Sequence, residues 1–231
     1  MKINKDQIVE LYHNLRRRSE VFKYDANCCT SSRMKQPASD PNNWYIESKA
    51  WFDAHVGTHV EVPYHHMFTG KDCMTYPTEN LLGECTVINC LGKQPGEEIT
   101  LEDVKKVEDT IQEGDIVFLY TGYDKYFYTD NWQPYPPLSL EALDWLLQYK
   151  PKIIGTDASG VELTDGYDDK GRMHELYGEP VHVKCFENNV AIVESLTNLG
   201  AIDGKRTTVF VLGLPMQRMD ASPVRAIAII D

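Results

Sequence analysis

A twelve-residue segment, His55–His66, contains four of the seven histidines in this 231-residue chain. In an extended strand, residues two apart point to the same side. The histidines at 55, 59 and 65 and the carboxylate of Glu61 would therefore share one face, and the valines at 56, 60 and 62 would share the other. Valines favour a strand, and Pro63 argues against a helix. A row of imidazoles beside a carboxylate is typical of a divalent transition-metal site, so the segment predicts one.

The composition narrows the class of protein. The net charge of −12 argues against a nucleic-acid partner. No apolar stretch approaches the ~20 residues of a membrane span, and the first residues lack the apolar core of a signal peptide. The six cysteines form no CxxC pair, and Cys28 and Cys29 are adjacent. We therefore expect reduced thiols and a cytoplasmic protein.

The length and the pattern of elements predict one mixed α/β domain over residues 1–231. Asn4 is expected to cap a helix of about a dozen residues, and residues 24–43 are expected to form a loop. Further helices should follow Thr100 and Ser139. Several strands and few long helices indicate a barrel-like or layered core. The expected strands are 86–90, 115–120, 152–155, 190–193, 208–212 and 224–230.

Two further potential ligands, His182 and Glu194, flank a short predicted helix, turn and strand. Alone they are a weak signal, but they supply the ligands that the first cluster lacks. The aromatic residues Trp44, Tyr45, Trp51 and Phe52 precede the histidine row. They could form the wall of a pocket for a flat substrate, or they could pack in the core. His13 lies off the apolar stripe of the first helix and is expected on the surface.

The run His55-x-Gly57-Thr58-His59-x-Glu61-x-Pro63-x-His65 resembles the cyclase-like metal-dependent hydrolases, a family that includes bacterial kynurenine formamidase and isatin hydrolase. The resemblance covers roughly residues 50–231. The first 45 residues match poorly, because the family opens with a short strand and the pattern here predicts a divergent helix and loop. Other matching segments are Gly114-Asp115, Thr121-Gly122, Gly155-Thr156-Asp157, His182 through Glu194, Asn198-Leu199, Pro215 and Ser222–Ala226.

The resemblance implies a swivelling β/β/α-type domain, a homo-oligomer (a dimer or a dimer of dimers), and one or two divalent ions, Zn or Mn, in each chain. It also implies that His65 is the acid/base. At position 61 the family usually has Asp, and Glu reaches one methylene further. His66 is an additional histidine that could compete with His65. The implied metal ligands are His55, His59, Glu61, His182 and Glu194.

These residues are suited to hydrolysis by metal-activated water. We expect cleavage of an amide or lactam C–N bond in a small substrate, and the aromatic residues near 44–52 and 120–135 suggest an aromatic one. Two alternatives stay open: a metal-dependent cyclase or dehydratase of a carbonyl compound, and a non-catalytic small-molecule binder, which only Glu61 in place of Asp favours. The sequence contains no GxSxG, GxxxxGK or GxGxxG pattern.

Overall fold

A computed structural model describes residues 3–15, 28–35, 42–132, 134–163 and 178–230. In these ranges the strands are β1 (Ile8–Glu10), β2 (Cys28–Lys35), β3 (Tyr45–Phe52), β4 (His59–Glu61), β5 (Leu82–Asn89), β6 (Ile116–Tyr120), β7 (Ile153–Thr156), β8 (Ala191–Glu194), β9 (Thr207–Phe210), β10 (Ala221–Pro223) and β11 (Ile227–Ile229). The helices are α1 (Leu101–Lys105), α2 (Leu140–Leu147) and α3 (Pro180–Glu187).

The main sheet is a strongly curled half-barrel of nine strands, in the order β1-β11-β9-β5-β6-β7-β8-β4-β10. Strands β5 to β8 are parallel, and the helices α1, α2 and α3 each lie between two successive strands of this central group. Parallel neighbours need such crossovers, whereas the flanking strands pair antiparallel. The predicted mixed α/β class with a barrel-like core is confirmed.

The central strands are buried on both faces, as the apolar run before Tyr120 predicts. Alternate residues of β6 divide between two cores: Ile116 and Phe118 pack on one side, and Val117 and Leu119 on the other. Helix residues such as Leu143 and Phe186 cover the second side. The central sheet is therefore a rigid support for the residues at its strand ends.

Local signals place two of the helices correctly. Thr100 accepts a hydrogen bond from the backbone N–H of Asp103, and the Asp103 side chain accepts one from the N–H of Thr100, so α1 begins with a capping box. Ser139 caps α2 by accepting from the N–H of Ala142.

The N-terminal prediction is wrong in both of its parts. Residues Lys5–Gln7 form one turn of 3-10 helix, and β1 follows and pairs antiparallel with β11. This is the short opening strand that the family resemblance required. Within the predicted loop at 24–43, residues 28–35 form β2, which pairs with β3 in a separate two-stranded sheet. The rest of that predicted loop, apart from 42 and 43, lies outside the described residues.

No helix in the described ranges is both long enough and apolar enough to cross a membrane.

Candidate metal centre

The histidine segment is only partly a strand. His59 and Glu61 lie in β4, whereas His55 lies in the preceding turn and His65 ends a 3-10 turn that begins at Pro63. The prediction of one extended strand from 55 to 65 is therefore wrong. Gly57 permits the first turn because its φ is 64°, in the left-handed region that glycine tolerates. The two turns fold the outer histidines toward the strand.

The sheet and α3 bring the second pair of residues to the same place. Strand β8 pairs with β4 so that Glu194 lies opposite His59 in the register. His182 is the third residue of α3, and its Nε2 lies 3.4 Å from Glu194 Oε1. The five residues predicted as ligands are therefore neighbours, although they come from segments more than a hundred residues apart.

The carboxylate of Glu61 lies at the middle of this cluster. Its Oε1 is 2.8 Å from His55 Nδ1 and 3.2 Å from His59 Nε2, and its Oε2 is 3.2 Å from His182 Nε2. Oε2 is nevertheless buried without a hydrogen bond. Two sets of possible ligand atoms share this residue: Glu61 with His55 and His59, and Glu61 with His182 and Glu194.

Each imidazole of the cluster uses its outward nitrogen as a hydrogen-bond donor. His59 Nδ1 donates to the carbonyl of Gly57 at 2.8 Å, and His182 Nδ1 donates to Glu162 Oε1 at 2.7 Å. His55 Nε2 donates to Asp220 Oδ2 at 2.9 Å. In a neutral imidazole the other nitrogen then carries a lone pair. Three lone pairs and the unpaired Glu61 oxygen point into one region, which fits a divalent cation and its supporting hydrogen bonds.

The pKa values of these groups show that the centre attracts positive charge. Burial lowers the pKa of His55, but hydrogen bonds to Asp220 and Glu61 outweigh burial and raise it to about 10. The pKa of His182 is also raised, because its carboxylate neighbours outweigh its burial. The surrounding imidazoles hold the pKa of Glu61 well below its usual range despite its burial. Protons and a metal cation therefore compete for the same atoms.

One side of the centre is closed and the other is open. The side chains of Glu61 and His59 are 2% and 4% exposed, whereas those of His65 and Asp220 are 25% and 34% exposed. Within the described residues, the exposed side of the centre is therefore the side of His65 and Asp220. The His65 ring centroid is 4.5 Å from that of His55, and its Nδ1 donates to Asp220 Oδ2 at 2.9 Å.

The additional histidine, His66, has a different partner. Its Nε2 lies 2.7 Å from Glu179 Oε2, and its ring stacks on Phe186 with centroids 5.8 Å apart. The His66 ring is 4.6 Å from His65, so both histidines lie at the rim of the centre.

Three carboxylates of the centre are absent from the sequence prediction: Glu162, Glu179 and Asp220. Asp220 lies two residues before Ser222–Ala226, a segment that carries the family resemblance. Its position next to that segment is the sequence feature from which a role for Asp220 could have been predicted. Nothing in the sequence singles out Glu162. It accepts hydrogen bonds from the backbone N–H groups of Val181 and His182, and so it fixes the start of α3 as well as the His182 ring.

Aromatic side chains lie on one flank of the centre. Tyr135 donates a hydrogen bond to the backbone carbonyl of Glu162 and packs in a small cluster with Tyr123 and Ala158. Burial and the carboxylates of Glu194, Glu179, Glu162 and Glu61 raise the pKa of Tyr135. Trp44 and Trp51, by contrast, are both 56% exposed.

Comparisons with known proteins show what the sequence and the fold resemble. The Cyclase family model matches residues 9–163, about two thirds of the chain. Kynurenine formamidase from Erythrobacter litoralis is 27% identical over 174 residues, 75% of this chain and 72% of that protein. The structure of an isatin hydrolase bound to the product analogue thioisatinate superposes with a TM-score of 0.76 at 20% identity, covering 97% of this chain and 92% of that one.

A further solved structure, described as a potential metal-dependent hydrolase with cyclase activity, superposes with a TM-score of 0.72 at 22% identity, covering 96% of both chains. The family model, the curated relative, the shared fold and the buried His/Glu cluster agree with one another. The chain therefore belongs to the cyclase family.

Proposed function

We propose that this chain hydrolyses an amide or lactam C–N bond in a small aromatic substrate. One observation carries the proposal: inward-facing imidazole nitrogens and carboxylate oxygens surround Glu61, with His65 beside them on the open side. The similarity to a kynurenine formamidase and to an isatin hydrolase favours a formamide or a lactam fused to an aromatic ring.

In this proposal His55, His59, Glu61, His182 and Glu194 hold one or two ions of Zn or Mn. A divalent cation, when bound, lowers the pKa of water from about 15.7 to about 7 and polarises a carbonyl oxygen. Glu61 directs Oε1 toward His55 and Oε2 toward His182, so one carboxylate would contribute an oxygen to each of the two ligand sets. The buried walls formed by His59 and Glu194 limit the access of bulk water.

His65 is the proposed acid/base. Its Nδ1–H is used by Asp220, so the neutral ring carries its lone pair on Nε2. That nitrogen can accept a proton from the attacking water and return it to the leaving nitrogen. We therefore expect His65→Ala to retain its metal and lose turnover, whereas His59→Ala should lose both. If His65→Ala keeps its turnover, the acid/base role passes to His66.

Metal analysis is the first test of the proposal. Protein purified without a chelator should contain between one and two equivalents of Zn or Mn in each chain, measured by elemental analysis. His59→Ala, purified in parallel, is the control for adventitious metal. If the wild-type protein contains no more metal than this variant, the proposal that the hydrolysis depends on a bound metal is overturned.

Product analysis then tests the reaction. Metal-loaded protein should deformylate N-formylkynurenine or open the ring of isatin, and His65→Ala should do neither. Conversion at equal rates by both proteins would point to a contaminating enzyme. If the fully metal-loaded wild type converts neither compound, this substrate class is contradicted. The alternative of a metal-dependent cyclase or dehydratase is then favoured.

The remaining expectations are also proposals. We propose that residues 1–231 act as one domain and assemble as a dimer or a dimer of dimers. We also propose a cytoplasmic location, which is supported by the free thiols of Cys73, Cys85, Cys90 and Cys185. Sedimentation analysis and thiol titration of the native protein test the assembly and the redox state.

A further inference from the structure

We propose that Asp220 is a positioning residue that fixes two histidines of the centre with one oxygen atom. Asp220 Oδ2 accepts a hydrogen bond from His55 Nε2 and another from His65 Nδ1, each at 2.9 Å. His55 belongs to the proposed ligand set and His65 is the proposed acid/base. The inference therefore rests on the proposed function for its catalytic consequence, but not for its geometry.

The chemistry of the carboxylate determines which nitrogens carry hydrogen. An ionised carboxylate only accepts, so both imidazoles must donate from the nitrogen that faces Asp220. His55 then presents Nδ1 to Glu61, and His65 presents Nε2 away from Asp220. One acceptor thus selects the tautomer of a ligand and that of a proton carrier together. Such outer partners of metal ligands commonly set ring orientation and ligand basicity.

The backbone around Asp220 supports this role. The carbonyl of Asp220 accepts a hydrogen bond from the N–H of Val62 at 3.0 Å, directly after β4. The next residue, Ala221, opens β10 opposite Glu61 in the register with β4. The Asp220 side chain is therefore placed by sheet pairing rather than by a free loop, and its distance from both histidines is set by the same register.

The arrangement predicts a coupling that separate supports would not produce. His59 and His182 have acceptors of their own, the Gly57 carbonyl and the Glu162 carboxylate. His55 and His65 share one acceptor, and their ring centroids are only 4.5 Å apart. Loss of Asp220 should therefore weaken metal binding through His55 and impair His65 in the same variant.

Nuclear magnetic resonance of the imidazole nitrogens tests the geometry without any assay of activity. Protein labelled with 15N in histidine is recorded at pH 8 after chelator treatment, and the His65 signals are assigned from the spectrum of His65→Ala. The neutral His65 ring should carry hydrogen on Nδ1 in the wild type. In Asp220→Ala it should shift to Nε2–H or to a mixture. Asp220→Asn keeps an oxygen acceptor and should restore part of the Nδ1–H form.

A control is Glu113→Ala, which removes an exposed carboxylate paired with Lys150 rather than with a histidine. This variant should leave the His65 tautomer unchanged. If Asp220→Ala also leaves it unchanged, the positioning role is overturned, whatever the enzyme hydrolyses. Dispersed spectra of the Asn and Ala variants show that each variant is folded.

Metal binding and kinetics test the consequence. Chelator competition should show metal affinity about 10- to 100-fold weaker in Asp220→Ala, the range seen for outer partners of metal ligands. At saturating metal, kcat should still fall by about 10- to 100-fold, whereas KM should change by less than about threefold. In the His65→Ala background, Asp220→Ala should lower the residual kcat little further, because Asp220 acts through His65. Losses in kcat that add fully in the double variant would overturn the coupling between Asp220 and His65. A wild type without turnover would contradict the proposed function, and the His65 tautomer in Asp220→Ala would still support or overturn the positioning role.

Discussion

The length of one side chain defines the centre. Glu61 reaches imidazoles on both of its sides with oxygen–nitrogen distances of 2.8 to 3.2 Å. Glu is one methylene longer than the Asp that the sequence resemblance implies here, so its carboxylate extends further from the strand. Because β4 pairs on both sides, with β8 and with β10, its backbone cannot move to compensate for a shorter side chain.

We expect Glu61→Asp to weaken metal binding by roughly tenfold or more, because withdrawing the carboxylate by about 1.5 Å breaks contacts on at least one side. Chelator competition with Zn and Mn measures the change. Glu113→Asp is a matched control, since Glu113 is an exposed residue paired with Lys150. Equal affinity in the wild type and in Glu61→Asp would show that the surrounding histidines are not spaced for Glu.

His13 is not the surface residue that its sequence position suggests. Its ring stacks on Phe127 with centroids 3.9 Å apart, and its Nε2 is buried without a hydrogen bond. Burial lowers its pKa from 6.5 to about 4. As the pH falls, the unfolded chain takes up a proton near pH 6.5, whereas the folded chain does so only near pH 4. Between these values the unfolded state binds more protons, so acidification favours unfolding.

We expect acidification from pH 7 to pH 5 to change the urea midpoint less favourably in the wild type than in His13→Phe, because only the wild type carries the His13 penalty. The raised pKa values of His55 and His182 act in the opposite direction, but they do so in both proteins. Phenylalanine keeps a ring against Phe127 and does not titrate. The comparison uses the difference between the two pH values, so a constant change in stability from the substitution cancels. A pH dependence that is the same in both proteins would show that His13 does not contribute.

At the scale of elements, the sequence correctly predicts the helix starts and strands that are determined by neighbouring residues in the chain. The caps at Thr100 and Ser139 and the apolar run of β6 needed only neighbouring residues. Strand β1 was missed because Ile8, Leu11 and Tyr12 have helical spacing. Pairing with β11 overrides that local preference, and Leu11 is fully buried. Strand β10 has only three residues, and its pairing with β4 is not visible in the sequence.

The residues of the candidate site also fall into those that the sequence predicts and those that it does not. The proposed ligands could be found because histidine and glutamate are chemically distinctive and clustered. Asp220 and Glu162 could not be found by that argument, because isolated acidic residues are common and their partners lie far away in the sequence. Asp220 is 165 residues from His55, and Glu162 is 20 residues from His182.

Thr58 links the two strands that carry ligands. Its hydroxyl accepts from the backbone N–H of His13 at 2.9 Å and donates to the carbonyl of Ser195, next to Glu194. Thr58→Val keeps the shape but leaves both groups without this partner, and a buried unsatisfied group costs about 1–3 kcal/mol. Urea denaturation should detect a loss of that size. Thr110→Val is the control at an exposed site, and it should change the free energy of unfolding by less than about 0.5 kcal/mol. Similar losses in both variants would contradict the linking role of Thr58.

At the scale of the whole molecule, the centre joins parts of the chain that are remote in sequence. It combines β4, β8, α3 and the residue before β10. A cation held by the proposed ligands would therefore connect residues 55 to 194, and Asp220 would support it through His55. The chain already carries a net charge of −12, and five carboxylates converge on the centre: Glu61, Glu162, Glu179, Glu194 and Asp220. A cation that binds only the folded chain should therefore stabilise the entire molecule.

We expect chelator-treated protein to melt at a higher temperature when Zn or Mn is added. At a free concentration of 100 times Kd the stabilisation should be about 2.7 kcal/mol, which corresponds to about 5–10 °C for a chain of this size. Glu61→Gln should abolish most of this shift, because it removes the shared carboxylate at the middle of both ligand sets. Mg²⁺ should have little effect, since it prefers oxygen ligands and the centre offers imidazoles. A shift as large in Glu61→Gln as in the wild type would place the stabilising cation elsewhere on the protein.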